Sequence, residues 1–308
     1  MKGLELCEAY FREEGLPVLG WQFDEVMDRM AFGLVGDGSE CYGFDDEISR
    51  DHDWGPGFCI WLTGEDYQSL GPKVQQAYTS LPTTFQGFGP RQTSQQGGGR
   101  IGVLETSAFY GQFIGQYQPP SNYNEWMALP ENALAAATNG KVFQDPLGKF
   151  SEIRCALLQF YPEDVRLKKI AARCVSLGQS GQYNLPRCVK RGELVPAQYS
   201  ETRFYADAMS LVFLLNKRYA PFYKWIHRAV RDLPILGGYM YETISALVKE
   251  HDYKVKVDRI ESMSQALIGE LKRQGLTDHP SDFLLDHAPV VQSRIQDKSL
   301  RERHVSIG

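Results

Sequence analysis

The chain has 308 residues, enough for one large or two ordinary domains, and its apolar and charged fractions, 43% and 23%, are those of a globular protein. A formal net charge of −5 gives no overall basic field, so extended nucleic acid is not an expected partner, although a local groove can still be basic. Six cysteines, Cys7, Cys41, Cys59, Cys155, Cys174 and Cys188, stand singly with no C-x-x-C, which disfavours a zinc site and a dense disulfide framework and predicts reduced, mostly buried thiols.

At the N-terminus, Glu5, Glu8, Glu13 and Glu14 replace the basic and then apolar pattern of a targeting segment, and no apolar run approaches membrane-spanning length. A cytoplasmic protein with no membrane partner is expected. Leu4 to Glu14 places Leu4, Cys7 and Ala9-Tyr10-Phe11 on one helical stripe, with a stop predicted at Gly15-Leu16-Pro17. Met30 to Val35 is apolar enough for a buried strand, ended by the Gly36-Asp37-Gly38-Ser39 turn. A second apolar run, Trp54 to Leu62, follows Asp51-His52-Asp53 and contains a Gly-Pro-Gly interruption.

With both aspartates at the start of that second strand, the period of two puts their carboxylates on one face and turns His52 to the other. Neighbouring carboxylates repel, and a divalent cation relieves the repulsion: Mg²⁺ takes one or two protein carboxylates and completes its octahedron with water and phosphate oxygens. The small Gly38-Ser39 pair lets backbone amides and a hydroxyl approach those phosphates. The bland alternatives are a hydrophilic turn, since Asp45, Asp46 and Glu47 crowd the same loop, and a serine that merely caps it.

Gly64 to Leu81 predicts a helix with Glu65-Asp66 in its first turn and Tyr67, Leu70, Val74 and Tyr78 as its apolar positions, although Gly71-Pro72 weakens its continuity. Residues 83–99, rich in Gly, Gln, Ser and Thr, predict a mobile loop over the site. Arg100 to Phe109 returns to a strand that carries Glu105. Asn122 to Thr138 is a predicted helix, and Asn139-Gly140 is a turn leading through Lys141 to Gln144, Asp145 and Pro146.

From Phe150 onward the pattern is one of long helices, so a boundary is placed near residue 148. Predicted helices run from Ser151 to Tyr161, from Asp164 to Leu177 with Lys168, Lys169 and Arg173 on the polar face, and from Pro196 to Tyr219. Between the last two, residues 178–186 are a loop or a helix irregularity, followed by Arg187, Lys190 and Arg191. Lys217, Arg218, Tyr219, Tyr223, Lys224 and Trp225 form a basic and aromatic cluster, read either as phosphate contacts and a stacking surface or as a solvated helix face. Helices from Tyr239 to His251 and Val257 to Gln274 follow, with a short helix and a fraying tail after Asp278. The pattern predicts an α+β protein, with a small mixed-sheet domain over residues 1–148 and a helical bundle over 149–308.

Gly38-Ser39, Gly43, Ser49 and Asp51-His52-Asp53 resemble the hG[GS]…Dh[DE] signature of the DNA polymerase beta superfamily of nucleotidyltransferases. More closely, GSECYGFDDEISRDHDWGPGF is similar to the opening of an uncharacterised bacterial nucleotidyltransferase-like domain family of unknown function, and the likeness continues from Gln179 to Trp225. The resemblance implies transfer of a nucleoside monophosphate, AMP favoured, from a nucleoside triphosphate to a hydroxyl-type acceptor that it leaves unidentified, with pyrophosphate released. It implies one or two Mg²⁺ ions, with Mn²⁺ as a substitute, on Asp51 and Asp53. A third carboxylate comes from a later strand, Glu105 or its competitor Asp145, to complete the metal site or serve as base. Gly38, Ser39, Lys224, Arg187 and Tyr219 are the corresponding nucleotide-binding candidates, and Gln179, Gln182 and Asn184 weaker ones. The alternatives are a nucleotide-binding protein of the same fold without turnover, and a metal-dependent phosphohydrolase.

Overall fold

The computed structural model describes residues 1–92 and 100–308, and the chain falls into two compact units. The first contains Met1–Pro120 and Ala133–Gln159, and the second Ser121–Asn132 and Phe160–Gly308. The architecture is α+β, with a small mixed sheet in the first unit and helices throughout the second.

Four short strands make the sheet: β1 (Ala31–Leu34), β2 (Cys59–Leu62), β3 (Gly102–Glu105) and β4 (Lys141–Gln144), in the order β3-β2-β1-β4. The pairs β1/β2 and β1/β4 are antiparallel and β2/β3 is parallel, with Leu62 opposite Glu105. Every residue of β1 and β2 is buried, because helices cover both faces. Ile60 and Leu62 join Leu6, Phe11, Phe32, Phe58 and Val74 in the core beneath α1 (Gly3–Tyr10), α2 (Leu16–Phe23) and α3 (Gly64–Thr79). Trp61 alternates to the other face, where its ring stacks on Phe150 of α7 (Lys149–Leu158) with centroids 3.7 Å apart and meets Phe109 of α4 (Thr106–Ile114) edge-on. That stack assigns α7 to the sheet, beyond the boundary expected near residue 148.

Two breaker signals act less strongly than expected. Gly15-Leu16-Pro17 does not end the first helix: a π turn over Phe11–Gly15 carries α1 into α2, and Pro17 sits in the first turn of α2, where no N–H is required. Pro72 lies inside an unbroken α3, whose Thr63 cap accepts a hydrogen bond from the Asp66 amide. Conversely, Pro130 divides the helix expected over Asn122 to Thr138 into α5 (Tyr123–Ala128) and α6 (Glu131–Thr138). The strand expected from Arg100 to Phe109 stops at Glu105, after which α4 begins.

In the second unit, α8 (Glu163–Leu177) packs against α10 (Leu194–Leu215) and α14 (Leu284–Ser293). A π segment, Gly178–Asn184, joins α8 to α9 (Leu185–Arg191). The helices α11 (Tyr223–Val230), α12 (Gly237–Leu247), α13 (Tyr253–Arg273) and α15 (Lys298–Arg301) belong to the same unit, as does α5.

The supposed polar face of α8 is buried. Lys168 is 0% exposed and Lys169 4%. Lys168 Nζ donates to Gln292 Oε1 at 2.6 Å and to the carbonyls of Arg303 and His304 at 3.2 and 2.8 Å. Asp164 accepts from the amides of Gln296 and Asp297. The C-terminal segment expected to fray is therefore tied to α8, with Ile295 and Leu300 fully buried. Among the described residues, no helix is long and apolar enough to cross a membrane.

Candidate active site

β1 ends at Leu34, and Gly36, with φ of +139°, turns the chain out of the sheet. The Asn139 side chain clamps that glycine from both sides, accepting from its N–H at 3.0 Å and donating to its carbonyl at 2.6 Å. Gly140 then donates to the Cys41 carbonyl at 2.9 Å, so the Asn139-Gly140 turn holds both ends of the Gly36-Asp37-Gly38-Ser39 loop. A β-carbon at Gly140 would lie 2.0 Å from the Leu34 oxygen, with φ at +62°, which restricts the position to glycine.

Ser39 opens a short 3-10 turn, Ser39–Tyr42, and its hydroxyl makes no hydrogen bond among the described residues. Gly38 is constrained by its neighbour: a β-carbon there would meet the Glu40 carboxylate at 2.4 to 2.7 Å. Glu40 is 2% exposed and receives the Arg91 guanidinium at 2.5 Å, while Arg91 also donates to the Gly55 carbonyl. Burial pulls the Arg91 pKa down, but Glu40 and the neighbouring Cys7 outweigh it and hold the guanidinium above its ordinary value. The nearby thiols Cys7 and Cys59 are pushed by burial up to about 12, as inert cysteines should be.

Beside this turn lies a cleft of about 110 Å³. Leu34 to Gly38 form one side, Phe109, Gln112 and Phe113 of α4 another, and Glu40, Cys41, Arg91 and Arg100 complete the lining. Arg100 Nη1 lies 3.4 Å from Asp53 Oδ2. Gly38, Arg91 and Arg100 thus meet at one cleft, with Asp53 behind Arg100.

The two aspartates are arranged differently from the expectation. Neither is on a strand, because β2 begins only at Cys59, and Gly55 and Gly57, with φ of +135° and +158°, turn the intervening chain. Asp51 ends a 3-10 turn, has a side chain 64% exposed, and contacts His52 Nδ1 at 2.7 Å, so His52 accompanies it instead of facing away. Asp53 is buried, takes φ of +52°, and its N–H donates to the Gln92 carbonyl at 2.7 Å.

Glu105 caps α4, its two oxygens accepting from the Ser107 and Ala108 amides at 3.0 and 2.6 Å. Asp145 is a turn residue, accepting from the Ser151 amide at the start of α7. Among the described residues, no group of three or more His, Cys, Asp or Glu side chains converges to hold a metal. The loop expected over the site lies only partly within view, since residues 93–99 are outside the described residues.

The remaining candidates belong to the second unit. Arg187 lies over the Tyr183 ring at 4.7 Å, and Lys224, exposed, over the Trp225 ring at 4.9 Å. Tyr219 packs on Phe160 and Tyr161 with centroids 4.8 and 5.1 Å away. Gln182 spends its amide on Glu261, the Asp282 carbonyl and the Leu284 amide, so it is a staple between helices. Arg91, Arg100 and Glu40 were not singled out by sequence. Their signal was two arginines bracketing the Gly-, Gln- and Ser-rich stretch, an arrangement suited to tying a loop to an acidic turn.

A family model described as a domain of unknown function (DUF4037) matches residues 126–226. The match contains the Gln179 to Trp225 segment and none of the Gly38 to Trp54 stretch. No curated protein and no solved structure matches the chain.

Proposed function

We propose that the chain is a nucleotidyltransferase that moves a nucleoside monophosphate, AMP favoured, from a nucleoside triphosphate to a hydroxyl-type acceptor and releases pyrophosphate. The carrying observation is the Gly36-Asp37-Gly38 turn at the end of β1, which lines a cleft together with Arg100 while Asp53 lies against that arginine. The resemblance of GSECYGFDDEISRDHDW to the nucleotidyltransferase signature supports the same chemistry.

In this proposal the backbone at Gly38 and the uncommitted Ser39 hydroxyl receive phosphate oxygens, and Arg100 supplies positive charge beside them. Arg91 is already neutralised by Glu40 and holds the turn in shape. The carboxylates of Asp51 and Asp53 are the oxygen donors that Mg²⁺ or Mn²⁺ accepts, and two suffice when phosphates and water provide the rest. Such an ion would orient the triphosphate and offset charge on departing pyrophosphate. Glu105 can join that set only by releasing the α4 amides it caps. No residue of the second unit is required by the proposal, so Lys224, Arg187 and Tyr219 are left out of it.

Because no three carboxylates converge among the described residues, a nucleotide-binding protein without turnover is the second reading. Incubating the protein with each of the four nucleoside triphosphates and Mg²⁺ or Mn²⁺ separates them: binding with pyrophosphate release supports transfer, and binding without release supports the second reading. Asp51→Ala is expected to lower transfer by several orders of magnitude, and near wild-type transfer in that variant would remove the proposal.

A further inference from the structure

The turn after β1 is shaped by a side chain 103 residues further along the chain. Asn139 stands in the turn between α6 and β4, and β4 pairs with β1 so that Lys141 lies opposite Leu34. That pairing brings the Asn139 amide to Gly36, which donates to Oδ1 at 3.0 Å and accepts from Nδ2 at 2.6 Å. Both polar groups of one backbone residue are thus fixed by one side chain. The Tyr42 phenol lies beside the same amide: burial and then the Asp37 carboxylate raise its pKa, and a hydrogen bond with Asn139 opposes them.

A trans peptide is planar, and its C=O and N–H point in opposite directions. Asn139 holds the Gly36 carbonyl, so the Asp37 N–H of the same peptide is turned away from Asn139. Gly36, Asp37 and Gly38 all line the cleft, and Asn139 does not. Neither the Asp37 nor the Gly38 N–H finds an acceptor among the described residues. Backbone donors are normally paired, and successive N–H groups without acceptors make a concavity suited to an anion's oxygen.

We propose that Asn139 is a positioning residue of the nucleotide site: by holding the Gly36 carbonyl it turns the Asp37 N–H toward the cleft, where that N–H and the one of Gly38 receive a phosphate oxygen. This role rests on the nucleotide reading above and adds to it a residue that touches no substrate. Donors fixed before the ligand arrives cost no reorganisation when it binds. The Asp37 carboxylate is a repulsive neighbour for a bare phosphate, so the two amides serve one already paired with Mg²⁺.

The test combines isothermal titration of the full chain with amide hydrogen exchange resolved by NMR, using ATP and tripolyphosphate as probes, each with Mg²⁺. In the wild type, saturating ATP should slow exchange at the Asp37 and Gly38 amides; unchanged exchange there overturns the proposal. Asn139→Ala should weaken both probes by about tenfold or more, as loss of a hydrogen bond to a charged oxygen does, and should abolish the slowing at Asp37. A folded Asn139→Ala that binds both probes as tightly as the wild type overturns the proposal and leaves the nucleotide reading standing. Weakened ATP binding with unchanged tripolyphosphate binding also overturns it, because the role concerns phosphate oxygens alone. Should Asn139→Ala not fold, the exchange measurement on the wild type decides. A wild type that binds neither probe is the separate result that removes the nucleotide reading together with this role.

Discussion

Glu105 is the residue on which structural and catalytic roles make opposite demands. Its carboxylate caps α4 through two charge-assisted hydrogen bonds, at 3.0 and 2.6 Å, to the Ser107 and Ala108 amides, and it sits where the helix dipole favours negative charge. Removing an N-cap costs about 0.5–2 kcal/mol, and two charged bonds place Glu105→Ala near the upper end, about 2 kcal/mol. At about 2–4 °C per kcal/mol for a unit of this size, the expected fall in Tm is about 4–8 °C. Glu105→Asp keeps the charge and substitutes a residue that caps helices at least as well, so its Tm should stay within about 2 °C of wild type. Thermal unfolding of the two variants measures this directly. A ligand to a catalytic ion would behave in the opposite way, since shortening the side chain by one methylene withdraws the carboxylate from the ion while leaving the helix capped. An unchanged Tm in Glu105→Ala, or an unchanged Tm with lost pyrophosphate release in Glu105→Asp, would refute the capping role as the residue's main one.

Arg91→Met should be severely destabilising, by about 3–5 kcal/mol in urea unfolding, because it strands the buried Glu40 carboxylate without its partner. The double variant with Glu40→Leu should recover much of that loss, and full additivity of the two changes would show that the ion pair is not coupled. Lys168, pushed down to about 8 by burial and by Arg303, binds its proton less tightly in the folded state than in the unfolded chain. The unfolded chain therefore holds more protons between about pH 8 and the ordinary lysine value of about 10.4, and stability contributed by this residue rises with pH across that window. The difference in unfolding free energy between wild type and Lys168→Met should grow from about pH 8 to about pH 10, within that window; a difference that shrinks would reverse the assignment.

The strand at Ala31–Leu34, the Gly-Ser turn after it and the helix after β2 were legible because each depends on local pattern: an apolar run, a glycine cluster, acidic residues in a first turn. The placement of Asp51 and Asp53 was not, because it depends on partners distant in sequence. Gln92 holds the Asp53 amide and Arg100 its carboxylate, and two positive-φ glycines separate the pair from β2. A period of two applies only where the chain is already extended. Likewise α8 was read with its lysines outward, as charged helix faces usually are. The acceptors that satisfy Lys168 are carbonyls of Arg303 and His304, more than a hundred residues away, and no helical periodicity encodes them. β4 escaped notice for a related reason: four residues of mixed polarity become a strand only through pairing with β1.

Gly38 and Ser39 show how one motif carries two separable demands. By sequence, the glycine makes room for a phosphate; in the fold, the same missing side chain makes room for the Glu40 carboxylate that Arg91 binds. Gly38→Ala therefore disturbs the turn with or without a ligand, and loss of nucleotide binding in that variant is expected on either account. Ser39 separates the two, because its hydroxyl contributes no hydrogen bond to the fold among the described residues. Ser39→Ala should leave Tm within about 1 °C of wild type, as surface changes remote from the core do. Its affinity for a nucleoside triphosphate should fall about tenfold, the cost of one hydrogen bond to a charged phosphate oxygen. An unchanged affinity with an unchanged Tm would mean that the hydroxyl meets no phosphate, and the case for a nucleotide at this cleft would then rest on the Gly38 backbone and Arg100.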